Sequence, residues 1–263
     1  MSDENSLPKK QQEKFYLLPN LLTTAGLFSG FYAIIAATNG KFEAAAIAIF
    51  IAMIFDGLDG RVARLTNTQS AFGAEYDSMA DIVSFGIAPA LLAYNYGLQE
   101  LGKLGWLSAF IYVACAALRL ARFNTQTGDG PKNYFQGLAS PAAAAIIASG
   151  IWVLVEFDLS GGMINYALSV ITVLMGLFMV SNFRYSAFKQ IDWKNTNTFL
   201  SLLLLVLAFV LVAARPAEVL FIVFAIYGLS GPVLGFKTMK LENIIDNNKD
   251  ADFDDRDDTK PKD

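Results

Sequence analysis

The sequence predicts an all-α protein, a polytopic transmembrane helical bundle of about eight spans. Three observations carry that prediction. Hydrophobic residues make up 54% of the 263 residues and only 17% are charged, against roughly 25% charged in a soluble domain. Apolar stretches near the bilayer-crossing length of about 20 residues recur between residues 19 and 236. The basic residues fall almost entirely on one side of those stretches, as they do in membrane proteins whose orientation they set.

The elements follow in order. Met1 to Lys14 is polar and lacks a short apolar core followed by a small-residue cleavage site, so it does not read as a signal peptide. Phe15 to Leu18 is expected to form a short interfacial start, so that residues 1–18 make a cytoplasmic N-terminal segment. The membrane domain then covers 19–236, with spans at about 19–38, 42–63, 78–98, 104–122, 137–157, 163–182, 198–214 and 217–236. Leu21–Ala37, Ala142–Val155, Tyr166–Val180 and Leu200–Ala214 are the clearest runs. Only Arg215, Pro216 and Glu218 separate the last two spans. Residues 237–263 form an acidic tail with almost no apolar residues, a composition that cannot fold by burial.

With the N-terminus in the cytoplasm, all of the 20 Lys and Arg except Lys41, Lys103 and Arg215 fall on the cytoplasmic side. Both termini are then cytoplasmic, and the expected location is the inner, cytoplasmic membrane. The net charge of −4 hides an uneven distribution. Nine carboxylates lie between Glu242 and Asp263, which leaves the rest of the chain net positive. That balance makes no case for a nucleic acid partner. The single cysteine, Cys115, lies in an apolar run and reads as a small buried side chain. The absence of histidine removes the commonest general base and transition-metal ligand. Acid–base or metal chemistry must use carboxylates, which suit hard cations such as Mg²⁺ or Mn²⁺.

Spans two and three carry such carboxylates at one end. Asp56 and Asp59 are three residues apart and Asp77 and Asp81 four apart, so each pair shares a helix face. The 17 residues between Asp59 and Asp77 include Gly60 and Gly73 and can turn the chain back. Two antiparallel helices would then aim four carboxylates at one point. An ionised Asp within a span costs about 2.5–3.5 kcal/mol on insertion scales, so something positive must compensate. Arg61 and Arg64 can do so in part and two divalent cations in full. Helix caps and interfacial ion pairs with Arg61 and Arg64 are the plainer account of the same aspartates.

The fixed positions Asp56, Asp59, Gly60, Ala63, Arg64, Gly73, Asp77 and Asp81 follow D-x2-D-G-x2-A-R-x8-G-x3-D-x3-D. This pattern resembles the signature of the CDP-alcohol phosphatidyltransferases, at every fixed position. The flanking segments are most similar to the membrane-embedded phosphatidylserine synthases of that family. They include Pro19-Asn-Leu-Leu-Thr-Thr-Ala-Gly26, Ser84-Phe-Gly-Ile-Ala-Pro89, Leu118-Arg-Leu-Ala-Arg-Phe-Asn124, Phe135-Gln-Gly-Leu-Ala-Ser-Pro141 and Ser181-Asn-Phe-Arg-Tyr185. Ala139 departs from the proline expected there, and spans seven and eight carry no motif.

The resemblance implies a six-helix core plus two spans, usually as a homodimer, with the site at the cytoplasmic end. It implies transfer of phosphatidyl from CDP-diacylglycerol to L-serine with release of CMP. Two divalent cations, Mg²⁺ or Mn²⁺, would be held by Asp56, Asp59, Asp77 and Asp81, and Asp81 would also take the alcohol proton. The CDP-lipid contacts would fall on Asn20, Thr23, Gly60, Arg64 and Ser70. Serine carries a carboxylate that needs a fixed cation, and Arg119, Arg122 and Arg184 are the candidates; anchoring by the positive-inside rule is the alternative reading for each. Glycerol 3-phosphate or an inositol phosphate are the alternative acceptors. Intramembrane carboxylates also mark ion paths, but these four lie at one end, and no charge continues a path through spans five to eight. Gly26 and Gly30 form a Gly-x-x-x-Gly pair suited to close helix approach, within the chain or in a dimer.

Overall fold

A computed structural model describes residues 9–125, 134–186 and 198–233. The acidic tail at 237–263 lies outside the described residues. The helices are α1 (Lys9–Thr38), α2 (Phe42–Leu65), α3 (Ala71–Asp81), α4 (Ala88–Tyr96), α5 (Lys103–Thr125), α6 (Ser140–Glu156), α7 (Gly162–Val180), α8 (Thr198–Ala214) and α9 (Pro216–Val233). A π-helical segment, Ile82–Ile87, joins α3 to α4 without a break. The all-α bundle is therefore as expected, and each expected span coincides with a helix or, for the third, with the α3–π–α4 unit.

Among the described residues, four helices are long and apolar enough to cross a membrane by themselves, Leu17–Thr38, Lys103–Thr125, Gly162–Val180 and Pro216–Val233. Their outward faces carry large apolar side chains such as Phe28, Phe31, Phe110, Val170, Leu177 and Ile226. An apolar surface of that extent suits lipid rather than water as solvent.

Three local expectations change. Residues 15–18 are not a separate interfacial piece but part of α1, which runs from Lys9 with Pro19 inside it. The third span starts earlier than residue 78, because Ser70 caps α3 by accepting a hydrogen bond from Gly73 N at 3.0 Å. Two three-residue strands, β1 (Tyr134–Gln136) and β2 (Arg184–Ser186), pair antiparallel with Phe135 opposite Tyr185. They bring together two of the segments that carried the resemblance. Gly137 makes this possible. Its φ is +79°, and a Cβ there would stand 2.3 Å from the carbonyl oxygen of Met179. Pro141 then lies in the first turn of α6, the place where proline is best tolerated.

The packing of α1 on α2 decides where the site forms. The buried face of α1 runs through Thr23, Gly26, Gly30, Ala33 and Ala37. The buried face of α2 runs through Ala45, Ile49 and Ala52 and ends at Asp59. Small side chains at three- and four-residue spacing let the helices approach closely. Gly30 is needed for a second contact, since a Cβ there would lie 2.3 Å from Ser84 Oγ of the π segment. Ser84 in turn donates to the Gly26 carbonyl at 3.2 Å. The Gly26–Gly30 pair is thus used inside the chain, and it lends no support to a dimer contact.

Candidate active site

The same α2 face that is apolar toward one end becomes acidic toward the other. Asp56 and Asp59 continue the stripe of Ile49 and Ala52 at helical spacing. Asp77 and Asp81 approach from α3. Ligand oxygens of Asp56, Asp59 and Asp77 lie within 4.8 Å of one another. Asp81 stands one turn further along, outside that trio and within hydrogen-bonding reach of Asp56. Asp59 is the most enclosed, 5% exposed. Thr23 of α1 donates to its Oδ2 at 2.7 Å and so fixes the carboxylate from the neighbouring helix.

Caps and ion pairs do not account for these residues. The cap of α3 is Ser70. Neither Arg61 nor Arg64 lies within ion-pair distance of any of the four aspartates. Three hard oxygen donors converging with no basic side chain in ion-pair contact, among the described residues, fit a divalent metal such as Mg²⁺ or Mn²⁺.

Beside the trio lies a cavity of about 300 Å³, lined in part by Asn20, Thr23, Gly60, Arg64, Ser70 and Asp77. All five residues expected to contact the CDP-lipid border this one space, although they come from α1, α2 and the turn before α3. Gly60 has open space where a Cβ would stand, so its backbone faces the cavity. Gly73 is the tighter glycine, with Ser70 Oγ 3.1 Å from a Cβ there. The sequence reading missed further lining groups, Pro19, Thr68, Gln69 and Ala74 among them. The resembling segment Pro19-Asn-Leu-Leu-Thr23 already contained the first. A smaller crevice beneath the aspartates reaches Ser84 and Phe85 of the π segment and touches Thr23, Asp59 and Asp77 as well.

The three arginines separate. Arg119 points into the protein, with Nη1 donating to Ser140 Oγ at 2.7 Å and Nε buried without a hydrogen-bond partner among the described residues. Its electrostatic neighbours include Asp81 and Asp56. Arg122 donates instead to Asn182 Oδ1 at 3.0 Å, tying the end of α5 to the residues after α7. Arg184 lies in β2, and its side chain lies outside the described residues. A hydrogen-bonded pair, Ser78 and Asn124 at 3.1–3.2 Å, holds α3 against α5 next to Asp77. At the far end of the bundle, Asn165 donates to Glu100 at 2.6 Å.

The chain is 38% identical over 237 residues to a CDP-diacylglycerol–serine O-phosphatidyltransferase of Helicobacter pylori, covering 90% of this chain and 98% of that protein. It is 36% identical over 178 residues to the archaetidylserine synthase of Methanothermobacter thermautotrophicus, covering 67% of this chain and 72% of that one. A CDP-diacylglycerol–serine O-phosphatidyltransferase of Methanocaldococcus jannaschii is 37% identical over 182 residues, 69% of this chain and 80% of that one. The CDP-alcohol phosphatidyltransferase profile matches residues 16–178, which hold every aspartate of the site. This chain belongs to the CDP-alcohol phosphatidyltransferase family.

Proposed function

We propose that this chain is a CDP-diacylglycerol–serine O-phosphatidyltransferase of a cytoplasmic membrane. One observation carries the reading: Asp59 and Asp77 of the carboxylate trio with Asp56 line the same cavity as Asn20, Thr23, Gly60, Arg64 and Ser70. The relatives named for serine transfer support the choice of acceptor.

In this reading Asp56, Asp59 and Asp77 would hold two divalent cations, Mg²⁺ or Mn²⁺, with Asp81 completing the set beside Asp56. Cations held there would supply positive charge to offset the diphosphate and favour CMP as a leaving group. Arg64 places its guanidinium fork on phosphate oxygens in the cavity, and Gly60 leaves the backbone open to the nucleotide. Thr23 keeps Asp59 from rotating. The serine hydroxyl oxygen attacks the phosphatidyl phosphorus as the bond to the CMP oxygen breaks, and Asp81 accepts the hydroxyl proton. An aspartate is a weak base, but the proton need leave only as the oxygen attacks, and positioning supplies the rest. Arg119 receives the serine carboxylate, because its buried Nε has no hydrogen-bond partner among the described residues and the guanidinium is an electrostatic neighbour of Asp81. Arg122 reads better as a tie to Asn182 than as an acceptor contact.

Both termini face the cytoplasm, where CDP-linked precursors and serine meet the membrane. The chain works as a homodimer, on the strength of the family resemblance. The test is an acceptor panel with the purified protein, CDP-diacylglycerol and Mn²⁺, read as CMP release. Serine should give phosphatidylserine, and release should stop when the metal is chelated. Turnover with glycerol 3-phosphate or an inositol phosphate, and none with serine, would refute the acceptor assignment.

A further inference from the structure

Helix α5 runs antiparallel to the α3–π–α4 unit, and two contacts fix their register. At the aspartate end, Ser78 and Asn124 are hydrogen-bonded at 3.1–3.2 Å. Further in, a Cβ on Gly86 would stand 3.4 Å from the Ala116 Cβ. The two contacts are eight residues apart on each side, so Arg119 lies level with the residues that directly follow Asp81. Arg119 also shares a helix stripe with Ala116 and Tyr112, three and seven residues before it. Tyr112 donates to the Phe85 carbonyl at 3.0 Å. The stripe that carries Arg119 is therefore the one that faces the aspartate-bearing span.

Ser140 meets Arg119 from α6. It is the first residue of that helix and is fully buried. A serine at a helix start ordinarily caps it, its side-chain oxygen accepting from a backbone N–H of the first turn. Here the cap position is Ala139, which makes no side-chain cap bond, and Ser140 stands one residue too late. Its oxygen accepts from Arg119 Nη1 at 2.7 Å instead. The backbone around it is fixed on both sides. Gly137 N donates to the Phe183 carbonyl and Leu138 N to the Phe178 carbonyl, both at 2.9 Å, and Ala143 N donates to the Ala139 carbonyl at 3.0 Å.

This contact decides which edge of the guanidinium stays open. Nη1 is taken by Ser140. Nε, on the other edge, is buried and has no hydrogen-bond partner among the described residues. Arg119 also makes no ion pair among them. A guanidinium receives a carboxylate through two parallel N–H bonds, and the Nε edge offers such a pair. A neutral hydroxyl suits the tether, because it orients the guanidinium without cancelling its charge.

We propose that Ser140 is a positioning residue for the acceptor: from the start of α6 it holds Arg119 Nη1 and so presents the Nε edge of the guanidinium to the carboxylate of the incoming amino acid. This rests on the reading of Arg119 given above. Ser140 then contributes to acceptor recognition through Arg119, and the helix forgoes a serine cap for it.

The test compares Ser140→Ala, Arg119→Gln and the double variant with the unaltered full chain, using Mn²⁺ and CDP-diacylglycerol. Two acceptor-site ligands are used, serine and serinol, which lacks the carboxylate and is measured as substrate or as competitive inhibitor. Alanine fits the space of serine, so Ser140→Ala removes only the hydroxyl. Loss of one hydrogen bond to a charged group predicts a rise of about tenfold in KM for serine, with KM for CDP-diacylglycerol and the serinol constant unchanged. Arg119→Gln should abolish the preference for serine over serinol, and adding Ser140→Ala to it should change no constant further. If Arg119→Gln leaves that preference intact, the Arg119 reading fails and the proposal with it. If it removes the preference while Ser140→Ala leaves the serine KM unchanged, the role of Ser140 alone is overturned. A parallel rise in all three constants for Ser140→Ala means a merely structural residue and also overturns it, as does a further loss in the double variant.

Discussion

Thr23→Val isolates the contact that ties α1 to the carboxylate trio. Valine has nearly the same β-branched shape as threonine, so most of the packing on α2 is retained, and the hydroxyl is lost with its bonds to Asp59 and to the Pro19 carbonyl. That hydroxyl donates to Asp59 Oδ2 at 2.7 Å, and Asp59 is 5% exposed. Water therefore cannot replace it freely. A hydrogen bond to a charged group contributes about 1.5–3 kcal/mol. At 1.4 kcal/mol per decade, the Mn²⁺ concentration for half-maximal CMP release should rise about 10- to 100-fold. Thr23→Ser keeps the donor and should stay near the original value. Metal titration of initial rates at saturating CDP-diacylglycerol reads both variants. A Val variant with unchanged metal dependence, or a Ser variant as impaired as Val, would refute the claim that this bond orients a metal ligand.

Two further outcomes follow from the same geometry. Asp81→Asn should lower kcat by about 10²- to 10⁴-fold, the usual weight of a general base, while Mn²⁺ is still bound through Asp56, Asp59 and Asp77, more weakly and detectable by electron paramagnetic resonance; a variant with full turnover would remove Asp81 from the proton transfer. Gly137→Ala should destabilise the detergent-solubilised protein by about 2–5 kcal/mol, from about 1–2 for a left-handed residue and about 1–3 for crowding the Met179 carbonyl; thermal inactivation at an unshifted midpoint would show that the β1–β2 crossing is not held by that glycine.

The fold was legible because a bilayer reduces the choice of spanning structure to apolar helices of fixed length. Eight runs could be delimited to within a few residues, apart from the start of the third. That start was missed because Ser70, a capping residue, precedes a stretch polar enough to read as a loop. The aspartates were legible for a similar reason, since four charges in a membrane demand a purpose. What remained hidden depends on contacts between distant segments. Phe135-Gln-Gly137 and Arg184-Tyr185 stood out as motifs, but their pairing as strands leaves no periodic signature in three residues each. Arg119 and Arg122 looked equivalent one turn apart, and only their partners, Ser140 and Asn182, separate them.

The π segment at Ile82–Ile87 uses a wider turn than the helices on either side of it. Its effect is one of phase. In an α-helix each residue advances the face by about 100°, so the direction of Asp77 and Asp81 would dictate which later residues meet the core. The wide turn breaks that dictation. It lets the aspartate-bearing part of the span rotate to suit Asp77 and Asp81 while Ala88, Leu92 and Ala93 rotate separately to suit the bundle. Removing one residue from the segment would leave a good helix and an intact composition. It would also couple the two faces, so the chain could satisfy its ligands or its core, but not both.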